Sequence, residues 1–141
     1  MGTKQMIRIG NVSSINPSAG TVRVAFSDLD DQVTYELPVI TRGSKSNKDY
    51  WMPDIDEQVL CLFLPNISGH GVCDGFVLGT FYSRVDAPVE SSENVHAIKF
   101  ADGTVIKHDR RTGNLSINAT GSIDIVAGGS VTINGATISL N

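Results

Sequence analysis

The C-terminal stretch repeats every eight residues, reading Gly113-Asn-Leu-Ser-Ile-Asn-Ala-Thr120, then Gly121-Ser-Ile-Asp-Ile-Val-Ala-Gly128, then Gly129-Ser-Val-Thr-Ile-Asn-Gly-Ala136. Each repeat begins with a glycine and carries an aliphatic residue at its third and fifth positions, with small or polar residues between them. A short fixed period of this kind, with glycine at a corner, is typical of a β-solenoid or β-helix. The repeat therefore predicts a β-helical tail with corners at Gly113, Gly121 and Gly129.

The aliphatic positions of the tail are predicted to form one inward-facing series. The alternation continues, shifted by one position, through the last five residues. Burying so few aliphatic side chains stabilises a single chain less than ordering its backbone costs, and the tail has too few strands to pair its own backbone groups. We therefore expect a homotrimer, in which three tails wind around one axis as an intertwined triple-stranded β-helix. The predicted trimer core comprises Leu115, Ile117, Ile123, Ile125, Val131, Ile133, Ile138 and Leu140.

The 141-residue chain divides by composition into three regions. Residues 1–83 contain every Trp, Tyr and Cys of the chain, and residues 84–95 are rich in Pro, Ser and Glu, as linkers are. Residues 96–141 contain one aromatic residue, Phe100, and after Gly113 a single charged residue, Asp124. We predict a domain over 1–83, a linker over 84–95, and a neck with the β-helical spike over 96–141.

The first region alternates apolar and polar residues with period two, and no stretch shows sustained helical periodicity, so the predicted class is all-β. Five strands are expected, over residues 7–14, 21–26, 33–37, 58–64 and 72–81. Five short strands in about 80 residues are typical of a small OB-type barrel. The residues expected to pack in or against this barrel are Trp51, Val59, Cys61, Phe63 and Val77.

Composition excludes several classes of protein. The net charge of −4 argues against a basic nucleic-acid-binding face, and no apolar run is long enough for a transmembrane helix. The opening residues predict no secretory signal, and the two cysteines are expected to be free thiols.

Candidate chemistry in the sequence is sparse. Zinc sites commonly use paired cysteines, a spacing that is missing here, so core packing or loop roles are expected for Cys61, His70, Cys73 and Asp74. The acidic turn of Asp28, Asp30 and Asp31 lacks the calcium-loop pattern. His96 and His108 are expected to be ordinary hydrogen-bonding residues of the neck. We expect no catalytic residue, no metal and no cofactor.

One alternative function stays open at this point. OB barrels often bind oligonucleotides or oligosaccharides through stacked aromatic residues beside a basic groove. Aromatic residues make up only 6% of this chain, and Arg42, Lys45 and Lys48 form a modest basic patch with Asp49 in one loop. This patch suits a protein partner or a solvated loop better than a nucleic acid.

The whole chain resembles the phage baseplate assembly protein V family, the central tail spike of contractile tails, which is related to the core of the type VI secretion spike. The stretches that carry the resemblance are Arg8-Ile-Gly-Asn-Val12, Leu37-Pro-Val39, Tyr50-Trp-Met-Pro-Asp54, Glu57-Gln-Val-Leu-Cys-Leu-Phe63, Gly71-Val72, Gly75-Phe-Val-Leu-Gly-Thr-Phe-Tyr-Ser83 and Phe100-Ala-Asp-Gly-Thr-Val-Ile106, which precedes the repeat. Each stretch alone is weak, and their combination is fairly specific.

The resemblance implies an OB-fold that trimerises on the baseplate hub and a β-helix that pierces the target cell envelope when the sheath contracts. It implies assembly in the cytoplasm of the producing cell, followed by a place in the baseplate of a phage, a tailocin or another contractile injection system. The linker leaves no room for the lysozyme domain of some relatives, so the chain is not expected to be an enzyme. Because no His follows His108, we expect no metal at the apex and a separate PAAR-like tip protein there.

Overall fold

The computed structural model describes residues 6–65 and 72–141, and these divide into two compact units. The first unit ends at Ala87 and the second begins at Pro88. Both units contain β-strands, and the described residues contain one 3-10 turn, Ser27–Leu29, and no α-helix. The predicted all-β class is confirmed, while the OB topology and the triple-stranded β-helix stay predictions.

The first unit contains six strands, which are β1 Ile7–Asn16, β2 Thr21–Phe26, β3 Gln32–Val33, β4 Leu37–Pro38, β5 Gln58–Pro65 and β6 Val72–Thr80. They form one antiparallel sheet in the order β3-β2-β1-β5-β6, with β4 also paired to β2. A parallel bridge joins Val39, just after β4, to Val77 in β6, and the Ile40 N–H donates to the Val77 carbonyl at 2.9 Å. The segment after β4 therefore connects the β2 side of the sheet to β6.

The turn between β1 and β2 follows from its sequence. Pro17 restricts the backbone at the start of the turn, and Gly20 ends it with φ of +70°, a conformation that favours glycine. The backbone N–H groups of Ala19 and Gly20 both donate to the carbonyl of Asn16, at 3.2 and 3.0 Å. This reversal sets the register in which Asn16 lies opposite Thr21.

The strand predicted over residues 33–37 is instead divided into β3 and β4, which pair with opposite ends of β2. Thr34 lies at the break. Its backbone N–H donates to the Val24 carbonyl at 2.9 Å, while its side-chain hydroxyl accepts the Val24 N–H at 3.0 Å. Because a side-chain oxygen replaces a backbone acceptor here, the regular ladder stops although the chain continues beside β2.

The core of the first unit lies between β1, β2, β4, β5 and β6. The rings of Phe26 and Phe63 meet edge to face, with centroids 6.0 Å apart. Gly75 lies against Phe63, and an added Cβ at this position would come within 2.6 Å of the Phe63 ring. The buried apolar residues are Val12, Val22, Val24, Phe26, Leu37, Val59, Cys61, Phe63 and Val77.

The second unit contains three strands, which are β7 Val95–Lys99, β8 Val105–Asp109 and β9 Asn114–Asn118. They form an antiparallel sheet in the order β7-β8-β9, which we call the neck sheet. The turn between β7 and β8 contains Gly103 with φ of +95°, and the turn between β8 and β9 contains Gly113 with φ of +77°. After this sheet, residues 119–141 form no strand and no helix within the single chain.

Candidate functional site

The eight aliphatic residues of the tail are all exposed in the single chain. Their exposed fractions run from 52% at Ile138 to 91% at Leu140. Isolated exposed aliphatic residues are common on protein surfaces, but a regular series of this length requires a covering surface. The members of this series, which we call the tail series, are Leu115, Ile117, Ile123, Ile125, Val131, Ile133, Ile138 and Leu140.

The first repeat belongs partly to the neck sheet. Leu115 and Ile117 lie in β9, opposite His108 and Ile106 of β8. Alternation along a strand places Leu115 and Ile117 on one face of this sheet. The tail series therefore starts on the neck sheet and continues along the chain beyond it.

A set of hydrogen bonds among Asp102, Thr104 and Thr120, which we call the latch, holds the residues that directly follow β9. The Asp102 carboxylate accepts the Thr104 N–H at 2.9 Å with one oxygen and the Thr120 hydroxyl at 2.8 Å with the other. The Thr120 N–H in turn donates to the Thr104 hydroxyl oxygen at 3.3 Å. The Thr104 N–H, followed by the Thr120 hydroxyl, lowers the pKa of Asp102. These bonds tie the first residues after β9 to the turn between β7 and β8.

The three predicted corner glycines have different surroundings. Gly113 lies in the turn before β9, where its N–H donates to the Asp109 carbonyl at 2.8 Å and its positive φ disfavours any side chain. An added Cβ at Gly121 or Gly129 would meet nothing within 4 Å. Gly113 is thus required by a turn of the single chain, while the single chain places no steric demand on the other two.

The five residues expected to pack in or against the barrel divide into two groups. Trp51 is 60% exposed, whereas the other four lie in the core of the first unit. Trp51 therefore presents a large apolar surface outside that core. The four core residues are Val59, Cys61, Phe63 and Val77.

The candidate nucleophiles are only partly described. Cys61 is fully buried, and desolvation raises its pKa to about 11. A thiol in this state is protonated at neutral pH and is a poor nucleophile. His70 lies outside the described residues, and only the backbone of Cys73 and Asp74, within β6, is described.

The acidic turn after β2 is partly neutralised. Asp28 pairs with the Arg8 guanidinium at 2.6 Å, and the same guanidinium lies 5.0 Å from the centre of the Phe26 ring. Asp30 and Asp31 follow with φ of 54° and 57°, which shapes the turn into β3. Asp28 is therefore engaged as a structural partner of Arg8.

The basic loop is internally paired as well. The Arg42 side chain donates to the Asp49 carboxylate at 2.8 Å, which lowers the pKa of Asp49 and raises that of Arg42. The Asp49 carbonyl accepts the Thr41 hydroxyl at 2.8 Å. One of the three basic residues of the patch is thus occupied by an acidic neighbour.

Strand register brings together two histidines that sequence spacing separates. His96 of β7 lies directly opposite His108 of β8. Only the pairing of the two strands reveals this, because the residues are far apart along the chain. Among residues 6–65 and 72–141, no group of three or more His, Cys, Asp or Glu side chains is arranged to hold a metal. No helix in these two ranges has the length and hydropathy of a membrane span.

Comparison with known proteins gives one informative similarity. The chain is 31% identical over 130 residues to a protein named "Spike protein" from Escherichia phage P2. The similarity covers 92% of this chain and 58% of the phage protein, so the chain spans little more than half the length of that relative. No family model matches the chain. The resemblance to the spike of contractile phage tails, first indicated by several short stretches of sequence, is confirmed as a similarity to a phage spike protein along nearly the whole chain.

Proposed function

We propose that this protein is the trimeric central spike of a contractile tail baseplate and pierces the target cell envelope when the sheath contracts. The exposed tail series carries the proposal. Its side chains lack cover in one chain, and residues 119–141 have no strand partner there. Three copies wound around one axis would bury the series and pair the backbone groups between chains. The similarity to a phage spike protein supports the same assignment.

The polarity of the tail suits this mechanical role. Asp124 is the one charged side chain after Gly113, and the residues between the aliphatic positions are small or polar except for Val126. A shaft of this composition would enter a bilayer with little cost from desolvating ions. Since the strands would pair with other chains, the shaft would present no free lateral edge when force is applied. The sheath supplies the force and the spike transmits it.

The first unit offers a surface for the baseplate end. Ile7 and Ile9 of β1 are 59% and 52% exposed, and they lie opposite Leu62 and Leu60 of β5. Paired residues of neighbouring strands share one face, so these four form an apolar patch. We assign to the first unit, as an OB-fold, the contact with the hub. A conical PAAR-like protein would cap the other end of the spike.

A pair of matched substitutions tests the tail assembly. Ile125→Asp places three carboxylates on the proposed axis of the trimer. Val126→Asp adds the same group one residue later, at a position that the alternation places on the outer surface. We expect Ile125→Asp to abolish the trimer in size-exclusion chromatography and Val126→Asp to preserve it. Val126 is already 92% exposed and corresponds to Asn118 and Asn134 in the other repeats, which makes it a suitable control. Equal behaviour of the two variants would contradict the inward assignment of Ile125.

We also propose that the chain has no catalytic activity of its own. The raised pKa and full burial of Cys61 remove it as a nucleophile at neutral pH. Purified protein is expected to leave peptidoglycan and DNA intact in turbidity and gel assays. Hydrolysis of either substrate by a clean preparation of the protein would overturn this part of the proposal.

One observation favours ligand binding by the first unit as a second candidate function. Tyr50 and Trp51 are 66% and 60% exposed and directly follow the loop that contains Lys45 and Lys48. Exposed aromatic rings beside basic side chains are used to stack nucleobases or sugars. Trp51 is the single tryptophan of the chain, so its fluorescence reports on this surface. A saturable change on titration with oligothymidine or an oligosaccharide would support the binding module, and the spike assignment predicts no such change.

A further inference from the structure

The neck sheet segregates its side chains into two different faces. Cross-strand register places His96, His108 and Leu115 in one row and Ile98, Ile106 and Ile117 in the next row. These six residues share one face, since positions two apart along a strand point to the same side. The other face carries the neighbouring positions, among them Lys107 and Asp109.

The two histidines are placed close enough to act together. Directly opposed residues of antiparallel strands have Cβ atoms about 4.5–5.5 Å apart. Metal–nitrogen bonds to imidazole are about 2.0–2.1 Å, so two rings on such a pair can converge on one ion. Both histidines are exposed, and neither imidazole makes a hydrogen bond within the part of the chain that the structure describes.

Two of the charged side chains near the pair lie on the opposite face of the sheet and have partners there. Lys107 lies on the opposite face and pairs with Glu90 at 2.6 Å. Asp109 also lies on the opposite face, where its carboxylate accepts the Arg111 N–H at 2.9 Å and contacts the Arg111 guanidinium at 3.4 Å. On the histidine face, aliphatic residues flank the pair on one side. On the other side lies Arg110, whose Nε donates to the Asn94 side-chain oxygen at 2.8 Å.

We propose that His96 and His108 form a two-imidazole binding site for a divalent transition-metal ion such as Zn²⁺. Imidazole nitrogen is a preferred ligand of these ions, and in the single chain, where both histidines are exposed, water completes the coordination. Both ligands belong to one chain, so the site does not depend on association of three copies. Where three copies associate, the metal would lie on the sheet face that also carries Leu115 and Ile117, which the proposed trimer covers.

The test is isothermal titration calorimetry, in which ZnCl₂ is added to the chelator-treated full-length protein. We expect saturable binding, with His96→Asn and His108→Asn each weakening the affinity about tenfold or more, since even loss of a group behind a metal ligand costs roughly 10- to 100-fold. His70→Asn is the matched control, because it removes the third histidine of the chain, and it should bind as the original protein does. Circular dichroism checks that each variant keeps its β structure.

A second readout keeps the proposal testable if a variant does not fold. The electron paramagnetic resonance spectrum of the unsubstituted protein with one equivalent of Cu²⁺ should show coordination by two nitrogens. Absence of saturable Zn²⁺ binding, or loss of binding in His70→Asn alone, would overturn the site. Light scattering of the same samples separates the two proposals, because a single-chain mass with histidine-dependent binding contradicts the trimer and supports the metal site.

Discussion

Asp102 is the residue that joins the neck sheet to the tail. Its carboxylate holds Thr104 in the turn between β7 and β8 and Thr120 at the start of the tail. These two donors favour the ionised carboxylate, which is why its pKa is lowered. The sequence displays the turn as Ala101-Asp-Gly-Thr104, but the partner Thr120 is 16 residues beyond Thr104 and becomes visible only in the structure.

The latch predicts an acid-dependent contribution to stability. Because the pKa of Asp102 is lower in the folded chain, its carboxylate stabilises the fold above the ordinary value of about 3.9, and this contribution is lost as pH falls through the lower folded value. Asp102→Asn removes the charge at constant shape. The melting temperature of the variant should be below that of the original protein at pH 7, with the gap closing at acid pH. A gap that stays constant from pH 7 to pH 2 would contradict the latch.

Cys61 predicts the opposite dependence at alkaline pH. Burial raises its pKa to about 11, so the folded chain holds the thiol proton where the unfolded chain has released it. The free energy of unfolding should fall by roughly 2–3 kcal/mol as pH rises from about 9 to 11, at 1.36 kcal/mol for each unit of pKa shift. In Cys61→Ala this component should be missing in urea titrations across the same range. Parallel pH profiles for the two proteins would show that Cys61 is not desolvated.

At the scale of the strand, Gly75 and Gly79 make a matched pair within β6. An added Cβ at Gly75 would approach the Phe63 ring to 2.6 Å, whereas at Gly79 it would meet nothing within 4 Å. We expect Gly75→Ala to lower the free energy of unfolding by about 1–3 kcal/mol through overpacking, and Gly79→Ala to change it by less than about 1 kcal/mol. Chemical denaturation followed by tryptophan fluorescence measures both. Similar losses in the two variants would contradict the close packing of Gly75 on Phe63.

Period-two alternation was sufficient to predict the class and most strands, because a strand that is buried on one face must alternate. The alternating segment 21–26 agrees closely with β2, and the nearly continuous apolar run 58–64, which predicts a strand for a different reason, agrees closely with β5. The division of the third strand at Thr34 was not predictable from alternation, since it depends on a side-chain hydroxyl that bonds to Val24 of another strand. Likewise, the exposed position of Trp51 depends on the loop between β4 and β5 and leaves no periodic signal.

The tail series and the histidine pair show why some candidate functional residues could be predicted from the sequence and others could not. The tail series is local in sequence, so a repeat of eight residues reveals it directly. The histidine pair requires the register of β7 against β8, and sequence spacing alone suggested separate hydrogen-bonding roles for His96 and His108. The inward orientation of the tail series stays a prediction, because it concerns contacts between chains.

At the scale of the whole molecule, two units with different physical characters make up the chain. The first unit has a core of its own, built from buried residues of five strands, whereas the aliphatic residues of the tail remain exposed. The first can be ordered by contacts within one chain, while the single chain leaves the apolar surface of the tail exposed to water. This difference is the physical basis of the proposed trimer.

The mass of the intact protein in dilute solution tests the central claim most directly. Multi-angle light scattering behind size-exclusion chromatography should give three times 15.1 kDa, because only association buries the tail series. A mass of 15.1 kDa, together with amide protons of residues 119–141 that are protected from exchange, would show that one chain orders its tail alone and would contradict the account.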